Sequence, residues 1–175
     1  MELSPEKGNP VVLFGGGIYR RYIFEHIRFP KNYWYEDMIN GFLMKSQAKK
    51  IVEVNETLYY KETSAHNASK ILWHNNNVKA IDQWYLMKSL VHSYYELGLQ
   101  DDELIFKYAL NECGTLMVSR IKGIDLTLQM QVFMACSYFL QDLYQEQFHL
   151  SVDQKRLYAA LKTQDFALWK LLAKC

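Results

Sequence analysis

Residues 77–98 read NVKAIDQWYLMKSLVHSYYELG, and their apolar side chains recur at helical intervals. Ala80, Trp84, Met87, Val91 and Tyr94 fall four, three, four and three residues apart and end at Gly98. That spacing predicts an amphipathic helix closed by a glycine. The same period continues towards the C-terminus. Asp101, Asp102 and Glu103 open a second helix whose stripe is Phe106, Leu110, Cys113 and Met117. A third, over residues 126–144, is apolar nearly all round and is expected to be central. Ser151 and Gln154 stand at the spacing of a capping box that starts a fourth helix, and Asp165 caps a last short one through Ala173. The back of the chain therefore reads as a helical bundle.

Towards the N-terminus the punctuation changes. All three prolines and five of the eight glycines fall within the first 41 residues, the pattern of loops and short elements. Residues 10–14 form an apolar run ended by Gly15, Gly16 and Gly17. Residues 18–27 are expected to form a short amphipathic helix with Ile18, Tyr22 and Phe24 inward. Phe29 precedes Pro30 and must be extended. A helix opening at Tyr35, Glu36 and Asp37 would bury Met38, Ile39, Phe42 and Leu43, and two carboxylates in its first turn suit the positive end of the helix dipole. Residues 50–54 and 57–60 read as two strands around a turn at Asn55 and Glu56. The boundary is placed in the polar stretch 64–77. The expectation is an α+β chain, mostly α: residues 1–70 with short strands and helices, then a helical region over 71–175.

Composition removes several classes of function. Half of the 175 residues are apolar and 22% are charged, which excludes a disordered or low-complexity chain. Twenty Lys+Arg against 19 Asp+Glu leave a net charge of +1, without the basic excess of a nucleic-acid binder. Cys113, Cys136 and Cys175 are widely spaced, with no CxxC, as in a protein of a reducing compartment. The first residues lack the apolar core of a secretory signal, and the longest stretch free of charged residues and histidine, 126–141, is too short to span a bilayer. A soluble cytoplasmic protein is expected. Aromatic residues make up 15% of the chain, enough to fill a core and still line a site for ring-shaped ligands.

Few motifs carry chemistry. The triple glycine at 15–17 fits neither a P-loop nor a dinucleotide fingerprint and reads as a turn, although Arg20 and Arg21 after it could meet an anion. Asp101, Asp102 and Glu103 sit between helices and read as caps. His26, His66, His74, His92 and His149 show no metal-binding spacing, and there is no GxSxG and no Asp-x-Asp. Glu36 and Asp37 stand apart. They follow an aromatic segment, Phe29 to Tyr35, and begin a helix, so a carboxylate there is held beside rings able to pack on a sugar. That is a workable place for a general base, with helix capping as the simpler alternative.

Gly17-Ile-Tyr-Arg-Arg-Tyr-Ile-Phe, Ile27-Arg-Phe-Pro, Tyr35-Glu-Asp, Ala48-Lys-Lys-Ile-Val, Leu58-Tyr-Tyr and Asn67-Ala-Ser occur in that order over residues 11–70. This order resembles family 2 glycosyltransferases, in particular the bacterial enzymes that build capsular, exopolysaccharide or wall-associated glycans. The resemblance implies a remnant of the glycosyltransferase A-type α/β domain, followed by a C-terminal helical bundle. It implies inverting transfer from a nucleotide-diphosphate sugar donor to an acceptor hydroxyl on a glycan. Asp37 would be the catalytic base and Glu36 its neighbour, with Trp34 and Tyr35 on the acceptor. His66, Ser69, Arg20 and Arg21 would face the donor diphosphate, with His66 near a divalent metal, Mn or Mg.

Two positions depart from the family pattern. Lys61 stands where arginine is common, and Gly17 where many members have lysine. The nucleotide-binding half that precedes these motifs in the family is absent from these 175 residues. The chain is thus expected to be a C-terminal portion, to bind no metal and transfer no sugar alone, and to dimerise or associate with the missing half. The implied location is the cytoplasm or the inner face of the membrane. The contrasting expectation is a non-catalytic helical interaction module in which Glu36 and Asp37 only cap a helix.

Overall fold

A computed structural model describes residues 2–3, 17–52, 54, 56–58, 60, 62 and 78–173. Helices dominate them. The first, α1, covers residues 37–47 as an α turn Asp37–Ile39, a π-helical stretch Asn40–Met44 and an α turn Lys45–Gln47. Helix α2 begins as the 3-10 turn Val78–Ile81 and continues as Asp82–Glu96. Helix α3 runs from Asp102–Ala109 through a π stretch, Leu110–Leu116, to Met117–Ile121. Then come α4 (Leu126–Leu143), α5 (Val152–Lys162) and α6 (Phe166–Leu172).

The helix limits follow local chemistry. Asp101 accepts the amide of Leu104 at 3.0 Å, Asp165 that of Leu168 at 2.9 Å, and Asp125 those of Thr127 and Leu128. Ser151 and Gln154 complete the expected capping box. Helix α2 ends in a Schellman arrangement: Gly98, at φ 71°, donates to the Tyr95 carbonyl, and Leu99 to that of Tyr94. Helix α5 ends the same way with Gln164, at φ 58°, in the glycine position.

One core joins these helices to the front of the chain. The stripes read from sequence are buried: Met87, Tyr94, Phe106, Leu110, Cys113 and Met117 are all at most 2% exposed. Met38, Phe42 and Leu43 of α1 enter the same core, where the Phe42 ring stacks on Tyr108 at 4.3 Å. Phe106 collects Tyr144, Phe148 and Tyr158 around it, so much of the aromatic content is packing. In the π stretch of α3, a Cβ on Gly114 would lie 3.0 Å from Leu157, so glycine permits the close approach of α5. The Gly114 carbonyl takes the indole N–H of Trp169 at 2.7 Å.

Several expectations are corrected. Residues 18–27 form no amphipathic helix but a single 3-10 turn, Arg21–Phe24. Ile18 and Tyr22 are exposed, while Tyr19, Ile23 and Ile27, also four residues apart, supply the inward stripe. Phe24 packs against the core as expected, and its ring meets those of Tyr19 and Phe29. Tyr35 is not helical, since the helix starts at Asp37. Among the described residues the expected strand pair is not seen: Ile51–Val52 pairs antiparallel with Glu2–Leu3, and Thr57, Leu58 and Tyr60 lie outside strands. No layer covers Val54, Leu58 and Tyr60, which are exposed, so period-two patterning there has nothing to pack on. Helix α4 is not encased: Leu126, Met130 and Tyr138 face outward. The run 10–14 and the boundary 64–77 lie outside the described residues.

Candidate functional site

The segment before α1 is clamped to α2 and α3 by polar groups. Lys79, in the first turn of α2, donates to the Asn32 carbonyl at 2.8 Å and pairs with Asp82 at 3.3 Å. Asp82 in turn accepts the Trp34 amide at 3.0 Å. Asn32 has φ 68° and Tyr35 φ 70°. The left-handed region is familiar for asparagine, whereas for a bulky aromatic residue it is strained by roughly 1–2 kcal/mol and must be held by its surroundings.

The Arg120 guanidinium lies 4.1 Å above the Tyr35 ring, a close cation–π geometry. Arg120 also pairs with Glu112 at 3.4 Å, and Glu112 is 6% exposed. Gln83, fully buried, donates its Nε2 to the Glu112 carbonyl at 2.8 Å and to its carboxylate at 2.7 Å. Tyr108 donates to the Met38 carbonyl at 3.4 Å. Burial pushes the Glu112 carboxyl above its ordinary range, with Arg120 the chief opposing influence. The Tyr35 phenol is likewise raised by burial and partly drawn back by Arg120. Tyr108 is raised by burial, then by the Glu112 and Asp37 charges. The Tyr35 hydroxyl and the Gln83 Oε1 are buried without partners among the described residues.

Asp37 and Glu36 are exposed at the end of this clamp. After burial, the Asp37 charge adds to the upward shifts of Tyr35, Tyr108 and Glu112. Neither Asp37 nor Glu36 makes a side-chain hydrogen bond or ion pair among the described residues, and the turn is closed instead by the Met38 amide on the Tyr35 carbonyl at 3.0 Å. The contrast with the other acidic helix starts is direct. Asp101, Asp125 and Asp165 each spend an oxygen on backbone amides. Asp102 accepts from Tyr95 and Gln145, and Glu103 from Lys107 and the His149 amide, so the Asp101–Glu103 cluster is structural as expected.

The other expected site residues are not gathered here. Arg20 and Arg21 are exposed around the 3-10 turn, and no hydrogen bond or ion pair ties their side chains to the Trp34–Asp37 segment. His66 and Ser69 lie outside the described residues. Trp34 is half-buried, and one face of the Tyr35 ring is covered by Arg120. Among the described residues no group of three His, Cys, Asp or Glu side chains could hold a metal ion, and no helix is long and apolar enough to cross a membrane. Cys113 and Cys136 are buried free thiols. An open cleft of about 440 Å³, lined by His26, Gln47, Ser93, Glu96 and Leu97, lies at the opposite end of α1, about 15 Å along its axis from Asp37. It therefore does not house that carboxylate.

Sequence reasoning missed Gln83, Glu112 and Arg120. Their signal was a polar side chain inside or beside an apolar helical stripe, which marks a buried network when it recurs on adjacent helices. Comparison with protein-family models, with curated proteins and with solved structures finds no match.

Proposed function

We propose that this chain is the acceptor-side, C-terminal portion of an inverting, family 2-like glycosyltransferase of cell-surface polysaccharide synthesis, with Asp37 as its general base. The observation that carries the reading is the uncommitted, exposed carboxylate of Asp37 on a braced segment. A base must be free to accept a proton and fixed in position, and Asp37 meets both conditions. In the reaction, Asp37 takes the proton of an acceptor hydroxyl as its oxygen attacks the anomeric carbon. The bond from that carbon to the diphosphate breaks, and the diphosphate leaves with the electron pair. Glu36, exposed beside it, would orient the acceptor.

The described residues hold no group of three His, Cys, Asp or Glu side chains that fits a divalent metal. Donor binding is assigned to His66, Ser69, Arg20, Arg21 and the nucleotide-binding half. On this reading the strand Ile51–Val52 and the exposed Val54, Leu58 and Tyr60 are remnants of the α/β domain, available to pair with that half or with a second copy. The location would be the cytoplasm or the inner membrane face. On the rival reading, an interaction module, Glu36 and Asp37 would only cap the helix, yet neither makes a side-chain hydrogen bond among the described residues.

The test is sugar transfer by the protein that carries this chain together with the nucleotide-binding half. Asp37→Asn should lower the rate by about a thousandfold with unchanged far-UV circular dichroism. An unchanged rate overturns the proposal. The isolated chain, given nucleotide sugars and manganese, should release no nucleotide diphosphate.

A further inference from the structure

Beside Trp34 and Tyr35 stand two exposed rings, and the Lys79 ammonium lies 6.0 Å from the centre of one of them, Tyr33. Tyr33 and Tyr85 are 41% and 52% exposed, with ring centroids 6.4 Å apart and planes at 55°. Trp84 lies edge-on to Tyr85 at 4.9 Å, and the Lys88 ammonium sits 5.0 Å over the indole. The two exposed tyrosines come from different parts of the chain, one from the loop before α1 and one from α2. Lys79 and Asp82 bolt those parts together through the Asn32 carbonyl and the Trp34 amide. The corner is thus preorganised, and little ordering entropy is lost when something binds it. Tyr33 is four residues from Asp37, at most about 14 Å along the chain and less through the turn at Tyr35.

We infer that the Tyr33–Tyr85 corner is a glycan-binding platform that holds the sugars of the acceptor chain behind the reacting hydroxyl. This rests on the reading of Asp37 as the base. Sugar rings present one face of C–H groups, which pack on an aromatic face, and a rim of hydroxyls, which suits the ammonium of Lys88 and the tyrosine hydroxyls. A corner of two tilted rings takes a bent chain of pyranose units better than a flat apolar surface. An apolar partner helix would find the patch interrupted by Lys79 and Lys88.

The experiment uses the full 175-residue chain and does not depend on turnover. Intrinsic tryptophan fluorescence, to which Trp34 and Trp84 report from beside the corner, is titrated with a neutral and an acidic hexasaccharide, cellohexaose and a hyaluronan hexamer. At least one should bind, and Tyr85→Ala and Tyr33→Ala should each weaken that binding by about tenfold or more, as expected for an anchor residue. Tyr85→Phe, which keeps the ring, should retain it. Absence of binding by either sugar, or binding indifferent to both alanine variants, overturns the inference. So does a Tyr85-dependent response to phosphatidylglycerol vesicles without any response to sugar, which would make the corner a membrane contact. Failure of the platform leaves the Asp37→Asn transfer assay untouched, and failure of that assay leaves sugar binding intact, so the two ideas fall separately.

Discussion

Arg120→Ala is the sharpest perturbation of the clamp. The Arg120–Glu112 pair is 3.4 Å long, and the two side chains are 17% and 7% exposed. At an effective dielectric of about 20, opposite charges at that distance attract by about 5 kcal/mol. Part of this is offset by desolvation, and Gln83 continues to bond the carboxylate after the arginine is removed. Breaking one side of such a pair leaves a buried charge, so we expect a loss of about 2–3 kcal/mol, or roughly 5–10 °C in Tm for a chain of this size. The loss also depends on pH. The Glu112 carboxyl is already raised by burial, so the folded state holds its proton more tightly than the unfolded state does. Such a group destabilises the fold above its folded pKa, and the penalty fades as pH falls towards the unfolded value of about 4.3. Removing Arg120 raises the carboxyl further, so the deficit should be largest near pH 7–8 and smaller near pH 5, on urea unfolding curves read by circular dichroism. The double variant Arg120→Ala with Glu112→Gln keeps an acceptor for Gln83 and removes the stranded charge, and should recover to within about 1 kcal/mol of the parent. A loss under about 0.5 kcal/mol, or additive single and double variants, would refute the clamp.

Other positions give independent checks. Gln164→Gly should stabilise the fold by about 0.5–1 kcal/mol in the same unfolding assay, because glycine relieves the left-handed conformation at the end of α5. Trp169→Phe keeps the ring contacts with Phe133 and Phe166 but strips the Gly114 carbonyl of its donor, and should lower stability by about 1–3 kcal/mol. Glu103 is held down to about 2, first by Lys107 and then by the His149 amide. A depressed carboxyl adds stability above its unfolded pKa and loses it as pH falls, so Glu103→Gln should flatten the stability profile between about pH 4.3 and pH 2 and leave its shape near neutrality unchanged.

The helical part was legible because each helix carries redundant signals. In α2 the apolar stripe and the closing Gly98 agree, and the structure follows them. The front was less legible because its signals are short. Ile18–Tyr22 and Tyr19–Ile23–Ile27 are equally helical spacings, and spacing alone does not choose the second, which the structure buries. The pairing of Ile51–Val52 with Glu2–Leu3 is a non-local choice that alternation along the chain does not encode. The π stretches at Asn40–Met44 and Leu110–Leu116 have no period signal of their own either. Pro-free stretches with apolar residues at helical spacing read as ordinary α-helix until neighbouring helices impose the wider turn.

For the site, the decisive difference between capping acids and a free acid lies in what precedes each one. Asp101 and Asp165 adopt extended or bridging backbone at the N-cap, which turns a carboxylate oxygen back on the third amide of the helix. Asp37 stands inside the first turn instead, one place past that geometry, because Tyr35 takes the left-handed turn and its carbonyl already serves the Met38 amide. The strain of that turn is therefore coupled to the freedom of the carboxylate. Sequence shows the acid pair but not the turn, since nothing in a Tyr-Glu-Asp triplet asks for positive φ. The brace that tolerates it, Arg120 stacked on Tyr35 and anchored by Glu112 and Gln83, arrives from more than 45 residues downstream. The same contacts dock the front segment on the core, and on the proposed reading they would also hold the Asp37 oxygen at a fixed place.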